Sequence, residues 1–201
     1  MRLTTTISIA IMALSGAVLH PQEPLTSRRA VTFIAEEITL SVNNELAGVS
    51  GTYHFRNNTS HQGNYPVIFP FHVDSLSSFP HRISGFVIET DSTILEIRPH
   101  ESRAAVTVNI PLRPNAVTIW RLDFTQRITG NHARYILTST QAWSEPLKEA
   151  TYCFVAPRSF EEVVVWPKQD SISRKGDRVE YWAHKKDFMP DRDMEITWGK
   201  K

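Results

Sequence analysis

Apolar and polar residues alternate one for one through much of this chain. In Glu37–Asn44, Ile38, Leu40 and Val42 fall on one face while Thr39, Ser41 and Asn43 fall on the other. In Gly48–Asn57, Val49, Gly51, Tyr53 and Phe55 oppose Ser50, Thr52, His54 and Arg56. Trp120, Leu122 and Phe124 alternate with Arg121, Asp123 and Thr125, and "AAVTVNI" and "DMEITW" repeat the scheme. A period of two with one apolar face predicts strands in a half-buried sheet. "NNELAG", "RNNTSHQGN", "PLRPN" and "TGNH" supply turn chemistry between the apolar runs. About a dozen short strands result, with no long helical pattern beside them. One helical turn is expected at "SEPLKEA", capped by Ser144 with Pro146 near its start. The fold expected is all-β: an antiparallel β-sandwich, immunoglobulin-like or related, over residues 30–201. Two packed sandwiches are the alternative, divided near Gly130.

The segment "NHARYILTSTQAW", Asn131–Trp143, gathers an Arg, a Tyr, several hydroxyls and a Trp. With "AVTIWRLDFTQR" before it and "ITGN" between, it reads as the second arm of a hairpin. Ser139 and Thr140 are then strand residues, and Trp143 and Pro146 mark the strand's exit. A nucleophilic hydroxyl needs an oriented base and an oxyanion hole, and no flanking motif supplies them.

The first residues change the picture of where this sheet works. "MRLTTTISIAIMALSGAVLH" has a basic start at Arg2, an apolar run from Ile7 to Leu19, and small residues Ser15 and Ala17. This is the layout of a signal peptide over residues 1–17, followed by a linker over 18–29. The apolar run is shorter than the roughly 20 residues a membrane span needs. Leu14-Ser15-Gly16 resembles a lipoprotein processing site, but Ala17 stands where the lipidated Cys would be. The expected product is therefore extracytoplasmic, periplasmic or secreted, with no membrane span after cleavage. The formal charge is +1, and the basic residues are scattered, so no nucleic-acid-binding face is expected. With 41% hydrophobic and 21% charged residues, the chain reads as globular. The one cysteine, Cys153 in an apolar strand, reads as a buried thiol, and no intramolecular disulfide can form.

The blocks "GTYHFRN", "YPVIFPFHVDSL", "ARYILTSTQAWSEPLKEATYCFVAP" and "KKDFMPDRDMEITW" together resemble a family of uncharacterised exported bacterial β-sandwich proteins. The resemblance covers most of the chain beyond the leader, with "ARYILTSTQAW" its most specific piece. It implies an extracytoplasmic β-sandwich and no particular activity. Tyr53-His54-Phe55-Arg56-Asn57 followed by "FPFHVDSL" is similar to the opening strands of the vault/inter-α-trypsin domain, which implies a non-enzymatic adhesion-type module.

Candidate chemistry is sparse. His54, His61, His72 and His81 crowd one region, but no H-E-x-x-H, H-x-H or C-x-x-C spacing accompanies them, so no metal site is expected. His184, Asp187, Asp191, Asp193 and Glu195 lack the Gly and the regular ligand spacing of a calcium loop, and Lys185, Lys186 and Arg192 offset their charge. "NNTS" fits the glycosylation pattern at Asn57 and Asn58. Of five tryptophans, Trp120 and Trp198 fall on core faces, Trp166 is left unplaced, and Trp143 and Trp182 remain as candidate ligand contacts. The sequence thus points to a non-catalytic sandwich with no catalytic residue, cofactor or metal. It would present a surface to an envelope or extracellular protein or glycan. A carbohydrate-binding module using Trp143 or Trp182 is the alternative. A hydrolase or metal-dependent enzyme is the third reading, and it requires His72, Asp74, Asp187 and Asp191 to converge in one pocket.

Overall fold

The computed structural model describes residues 29–87 and 104–199. The expected signal peptide, and the expected linker except Arg29, lie outside the described residues. Twelve strands run through the described residues: β1 (Val31–Val42), β2 (Leu46–Asn57), β3 (Gly63–Pro70), β4 (Arg82–Val87), β5 (Ala105–Leu112) and β6 (Val117–Arg127), then β7 (His132–Tyr135), β8 (Leu147–Pro157), β9 (Glu161–Trp166), β10 (Ser171–Lys175), β11 (Arg178–Phe188) and β12 (Met194–Gly199). Seven form one sheet in the order β10-β11-β8-β1-β2-β6-β4. Two smaller sheets, β7-β12-β9 and β3-β5, complete the fold.

The alternation read from the sequence decides what faces what. Ile38, Leu40, Val49, Tyr53, Phe55, Trp120, Leu122 and Phe124 are all buried. They pack on the inward residues of the small sheets, among them Phe69, Val108, Ile110, Tyr135, Met194 and Ile196, in one continuous core. Aromatic rings join the layers: Tyr53 meets Phe69 edge-on at 5.0 Å, and Phe71 meets Phe124 at 4.8 Å. This is the expected all-β sandwich. Core residues from both sides of Gly130 belong to that one cluster.

Four local features depart from the sequence reading. β1 and β8 pair in parallel, whereas the rest of the large sheet is antiparallel. β6 and β7 do not form a hairpin, because both edges of β6 are already taken by β2 and β4. After β6 the chain is held by hydrogen bonds from Ile128 N to Glu45 O (2.8 Å) and from Thr129 N to Leu76 O (2.7 Å), then crosses to pair β7 with β12. Ser139 and Thr140 lie in a 3-10 turn over Thr138–Trp143, not in a strand. The Asp193 carboxylate, far along the chain, accepts hydrogen bonds from Leu137 N, Thr138 N and Thr138 Oγ1, so its charge organises the turn's start. "SEPLKEA" is not helical either: Ser144 closes the 3-10 turn with φ 60°, and Leu147 already begins β8.

A bulge in β1 between Phe33 and Ala35 shifts the register against β2. Val31 and Phe33 have odd numbers, while Ile38, Leu40 and Val42 have even ones. An extra residue between the two sets lets both face the core. It also leaves Glu36, in phase with Ile38, only 3% exposed.

Candidate binding face

One face of the seven-stranded sheet is closed by the small sheets. The other presents the outward side chains Thr39, Ser50, Asp123 and Trp182 half-buried and Ser84 exposed, although Cys153 among them is buried. Its composition follows from the polar half of each alternation. Thr39 on β1 stands opposite Ser50 on β2, Ser50 opposite Asp123 on β6, and Asp123 opposite Ser84 on β4. In the other direction Thr39 neighbours Cys153 on β8, which is opposite Trp182 on β11. A single cross-strand row therefore runs from Ser84 to Trp182. The next row carries Ser41, Gly48, Thr125 and Arg82.

A trough of about 540 Å³ lies over β1, β2, β6 and β4, with Thr39, Ser50, Asp123, Ser84 and Thr125 in its lining. That volume suits a small ligand. Its side chains are held in place. Arg121 donates through Nε to both Asp123 oxygens, at 3.2 and 3.0 Å, and through Nη2 to Ser50 Oγ at 2.9 Å. Ser41 Oγ donates to Gly48 O at 3.1 Å, and a Cβ at Gly48 would come within 2.8 Å of that hydroxyl. Glycine is what lets the trough floor sit this low.

A second depression of about 400 Å³ lies on the same side at the bulge, lined by Glu37, His54, Lys148, Glu149 and Thr151 among others. Glu37 and Thr39 are successive outward positions of β1, so the two depressions adjoin. Thr151 Oγ1 lies 3.2 Å from His184 Nδ1, and the His184 ring is nearly parallel to Trp182 (9°) with centroids 6.3 Å apart. The polar path therefore continues to Trp182, whose Nε1 donates to Glu180 Oε2 at 3.1 Å. The Glu180 carboxyl also receives the Lys175 ammonium at 3.0 Å, which holds its pKa below the usual value.

Beneath the bulge, on the core side, lies a buried polar group that the alternation alone did not single out. Tyr152 Oη donates to Glu36 Oε1 at 2.7 Å, and the Tyr53 and Tyr135 hydroxyls meet at 2.5 Å. Burial pushes the Glu36 carboxyl up to about 7, against the lowering effect of the Tyr152 hydrogen bond. Burial likewise holds Tyr53, Tyr135 and Tyr152 above the ordinary phenol range. A cavity of about 30 Å³ bordered by Glu36, Tyr53, Tyr135 and Trp143 has room for a single water rather than a ligand. The signal for Glu36 was present in the sequence as the next residue in phase before Ile38.

The sequence candidates separate cleanly. Trp143 ends the 3-10 turn and packs on the inner layer, with ring centroids 5.8 Å from Phe33 and 5.4 Å from Phe55. Trp182 lies on the opposite, open face of the large sheet. Trp120 and Trp198 are in the core, at 0% and 4% exposure. Trp166, partly buried against the core, has the Arg192 guanidinium 4.7 Å from its ring centre. Cys153 is buried, and burial pushes its thiol up to about 12. His72 Nε2 pairs with Asp74 Oδ2 at 2.9 Å, while Asp74 Oδ1 accepts from Leu76 N and Ser77 N. Burial opposes the Asp74 charge, but these backbone and imidazole contacts outweigh it and lower its pKa. Asp187 and Asp191 stand exposed around the end of β11. None of these four residues lines the depressions described above, so they do not meet in a shared pocket there. Glu195 pairs with His132 at 2.8 Å, and Asp193 serves the 3-10 turn. Among the described residues, no group of three His, Cys, Asp or Glu could hold a metal ion, and no helix is long and apolar enough to cross a membrane. Asn57 is fully buried, its side chain bonded to His61 O and Thr59, which removes it as a glycosylation acceptor.

No protein-family model matches the chain, and no curated protein matches it in sequence. Solved structures do share its fold. A protein from Legionella pneumophila subsp. pneumophila, provisionally named a nutrient binding protein, superposes with a TM-score of 0.65 at 14% identity, covering 84% of this chain and 67% of that one. An M1 zinc metallopeptidase from Deinococcus radiodurans gives 0.54 at 11% identity, over 85% of this chain but 43% of the peptidase. Its E323A mutant bound to a Tyr-Ser-Ala substrate gives 0.53 at 10% identity, again over 43% of its length. More than half of the peptidase lies outside the shared region, so the likeness is one of sandwich architecture.

Proposed function

We propose that the protein is an extracytoplasmic, non-catalytic binding module whose working surface is the open face of its seven-stranded sheet. The observation that carries this reading is the asymmetry of the sheet. One face is buried in a continuous aromatic core, and the other bears adjoining polar depressions of about 540 and 400 Å³. Held polar side chains on a rigid sheet are suited to recognition. The leader-like start supports export, and the binding name carried by a Legionella protein of the same fold points the same way.

The test is capture from an envelope extract by the immobilised protein, compared with a Ser50→Arg/Thr125→Arg variant. Both positions are half-buried on the open face, so the variant fills the trough while leaving the core untouched. The expected result is a discrete component retained by the parent and lost by the variant, with unchanged circular dichroism. Equal capture by both proteins, or capture by neither, overturns the reading.

A further inference from the structure

We propose that the open face takes a neutral, linear polyhydroxylated chain, an oligosaccharide, laid across the strands from the Asp123 trough to Trp182. This rests on the open face being the working surface, and three independent features select the ligand class.

The first is shape. The trough and the bulge depression adjoin through Glu37 and Thr39 of β1, and Thr151 hands the path on to His184 and Trp182. Neighbouring strands are roughly 4.8 Å apart, a step close to the length of one pyranose ring. A sugar chain crossing the strands therefore meets a fresh set of side chains with each ring.

The second is chemistry. The trough offers the hydroxyls of Thr39, Ser50, Ser84 and Thr125 beside the Asp123 carboxylate. A hydroxyl both donates and accepts, and a carboxylate accepts twice, which matches vicinal hydroxyls on a sugar. Charges along the path balance: Arg82 and Lys148 against Glu37 and Glu149, with Arg121 neutralising Asp123. That balance disfavours polyanions and polycations alike. An extended peptide adds to a sheet through a free edge. Here β6, β2, β1, β8 and β11, which carry the path, are each paired on both sides; β4, under the trough's outer rim, is the one end strand it touches.

The third is the aromatic end. Trp182 is partly exposed, and its indole is fixed by the bond to Glu180 and by the parallel His184 ring. A ring held in one orientation can carry the C–H face of a sugar at little entropic cost.

A neutral-glycan array followed by titration calorimetry, using β-1,4-linked glucose and N-acetylglucosamine oligomers from disaccharide to hexasaccharide, tests this. A sulfated oligomer serves as the charge control. Affinity is expected to rise with chain length and to favour neutral over sulfated chains. It is expected to fall at least about tenfold in Trp182→Ala and measurably in Asp123→Asn, while Trp143→Ala keeps it. The inference is overturned by no neutral glycan binding, by length-independent binding, by preference for the sulfated chain, or by both open-face variants binding like the parent. If glycans fail while Ser50→Arg/Thr125→Arg still abolishes capture from the envelope, the ligand class is wrong and the working face stands. If that double variant changes nothing, both readings fall.

Discussion

Glu36 is a buried carboxylic acid whose protonation is tied to the fold within the neutral pH range. An ionised carboxylate in a dry interior is costly, and one phenol hydrogen bond offsets only part of that cost. Its carboxyl therefore titrates at about 7 in the folded chain against 4.5 when unfolded. At low pH the group is protonated in both states and adds no ionisation penalty. As pH rises through 4.5 the unfolded chain releases the proton while the folded chain keeps it, so stability falls until about pH 7 and then levels off. The difference amounts to about 3 kcal/mol. Glu36→Gln keeps an acceptor for Tyr152 but cannot ionise, so it is expected to gain on the parent by about that amount between pH 4.5 and 8. Urea midpoints at those two pH values check this, and parallel shifts in both proteins would contradict it. Trp143 and Trp182 provide a second contrast at this scale. Trp143→Ala removes an indole packed on Phe33 and Phe55 and is expected to cost about 2 to 3 kcal/mol. Trp182→Ala, on the open face, is expected to cost about 1 kcal/mol or less. Denaturation of the two variants side by side checks the ordering. The core side chains were legible because each strand carries its own parity. Glu36 was not singled out because a carboxylate in phase with apolar neighbours is easily taken as the end of the pattern. Trp143 looked like a surface candidate because its turn was read as the exit of a strand.

Within β2, the contact that joins the two layers depends on a glycine. Tyr53 can pass its hydroxyl to Tyr135 of the opposing sheet because its ring lies across Gly51, where a Cβ would run into the ring and hydroxyl. Gly51→Ala is expected to displace Tyr53, break the inter-sheet hydrogen bond and destabilise the fold by about 1 to 3 kcal/mol. Thermal denaturation is the readout, and a Gly51→Ala protein as stable as the parent would refute the account. Sequence placed Gly51 and Tyr53 side by side on the apolar face, but not the ring's turn back across Gly51, because its hydroxyl meets Tyr135 of another sheet, 82 residues along the chain. The hairpin misreading has a related cause. "ITGN" is good turn chemistry, and sequence cannot reveal that β2 and β4 already occupy both edges of β6. The 3-10 turn was hidden for the same reason, since the carboxylate that organises it belongs to Asp193. Local patterns specify which face of a strand is apolar. They do not specify which strand comes to lie beside it.

For the molecule as a whole, the sandwich follows from two-residue periodicity, whereas the parallel β1–β8 pair does not, because strands more than a hundred residues apart leave no local trace. The same long-range wiring bears on whether the chain divides near Gly130. β8 and β11 extend the large sheet begun by β1 and β2, while β7, β9 and β12 cover it with β3 and β5. Cutting at Gly130 would strip β1 of its β8 partner and expose Ile38, Leu40 and Tyr53, so neither part retains a closed core. Unfolding in urea is therefore expected to be one cooperative transition, with tryptophan fluorescence and far-ultraviolet circular dichroism changing together. Separate fluorescence and dichroism midpoints, or a folded fragment ending at Gly130, would mean two units. The open face would then bridge two independently folding units rather than sit on one rigid sheet.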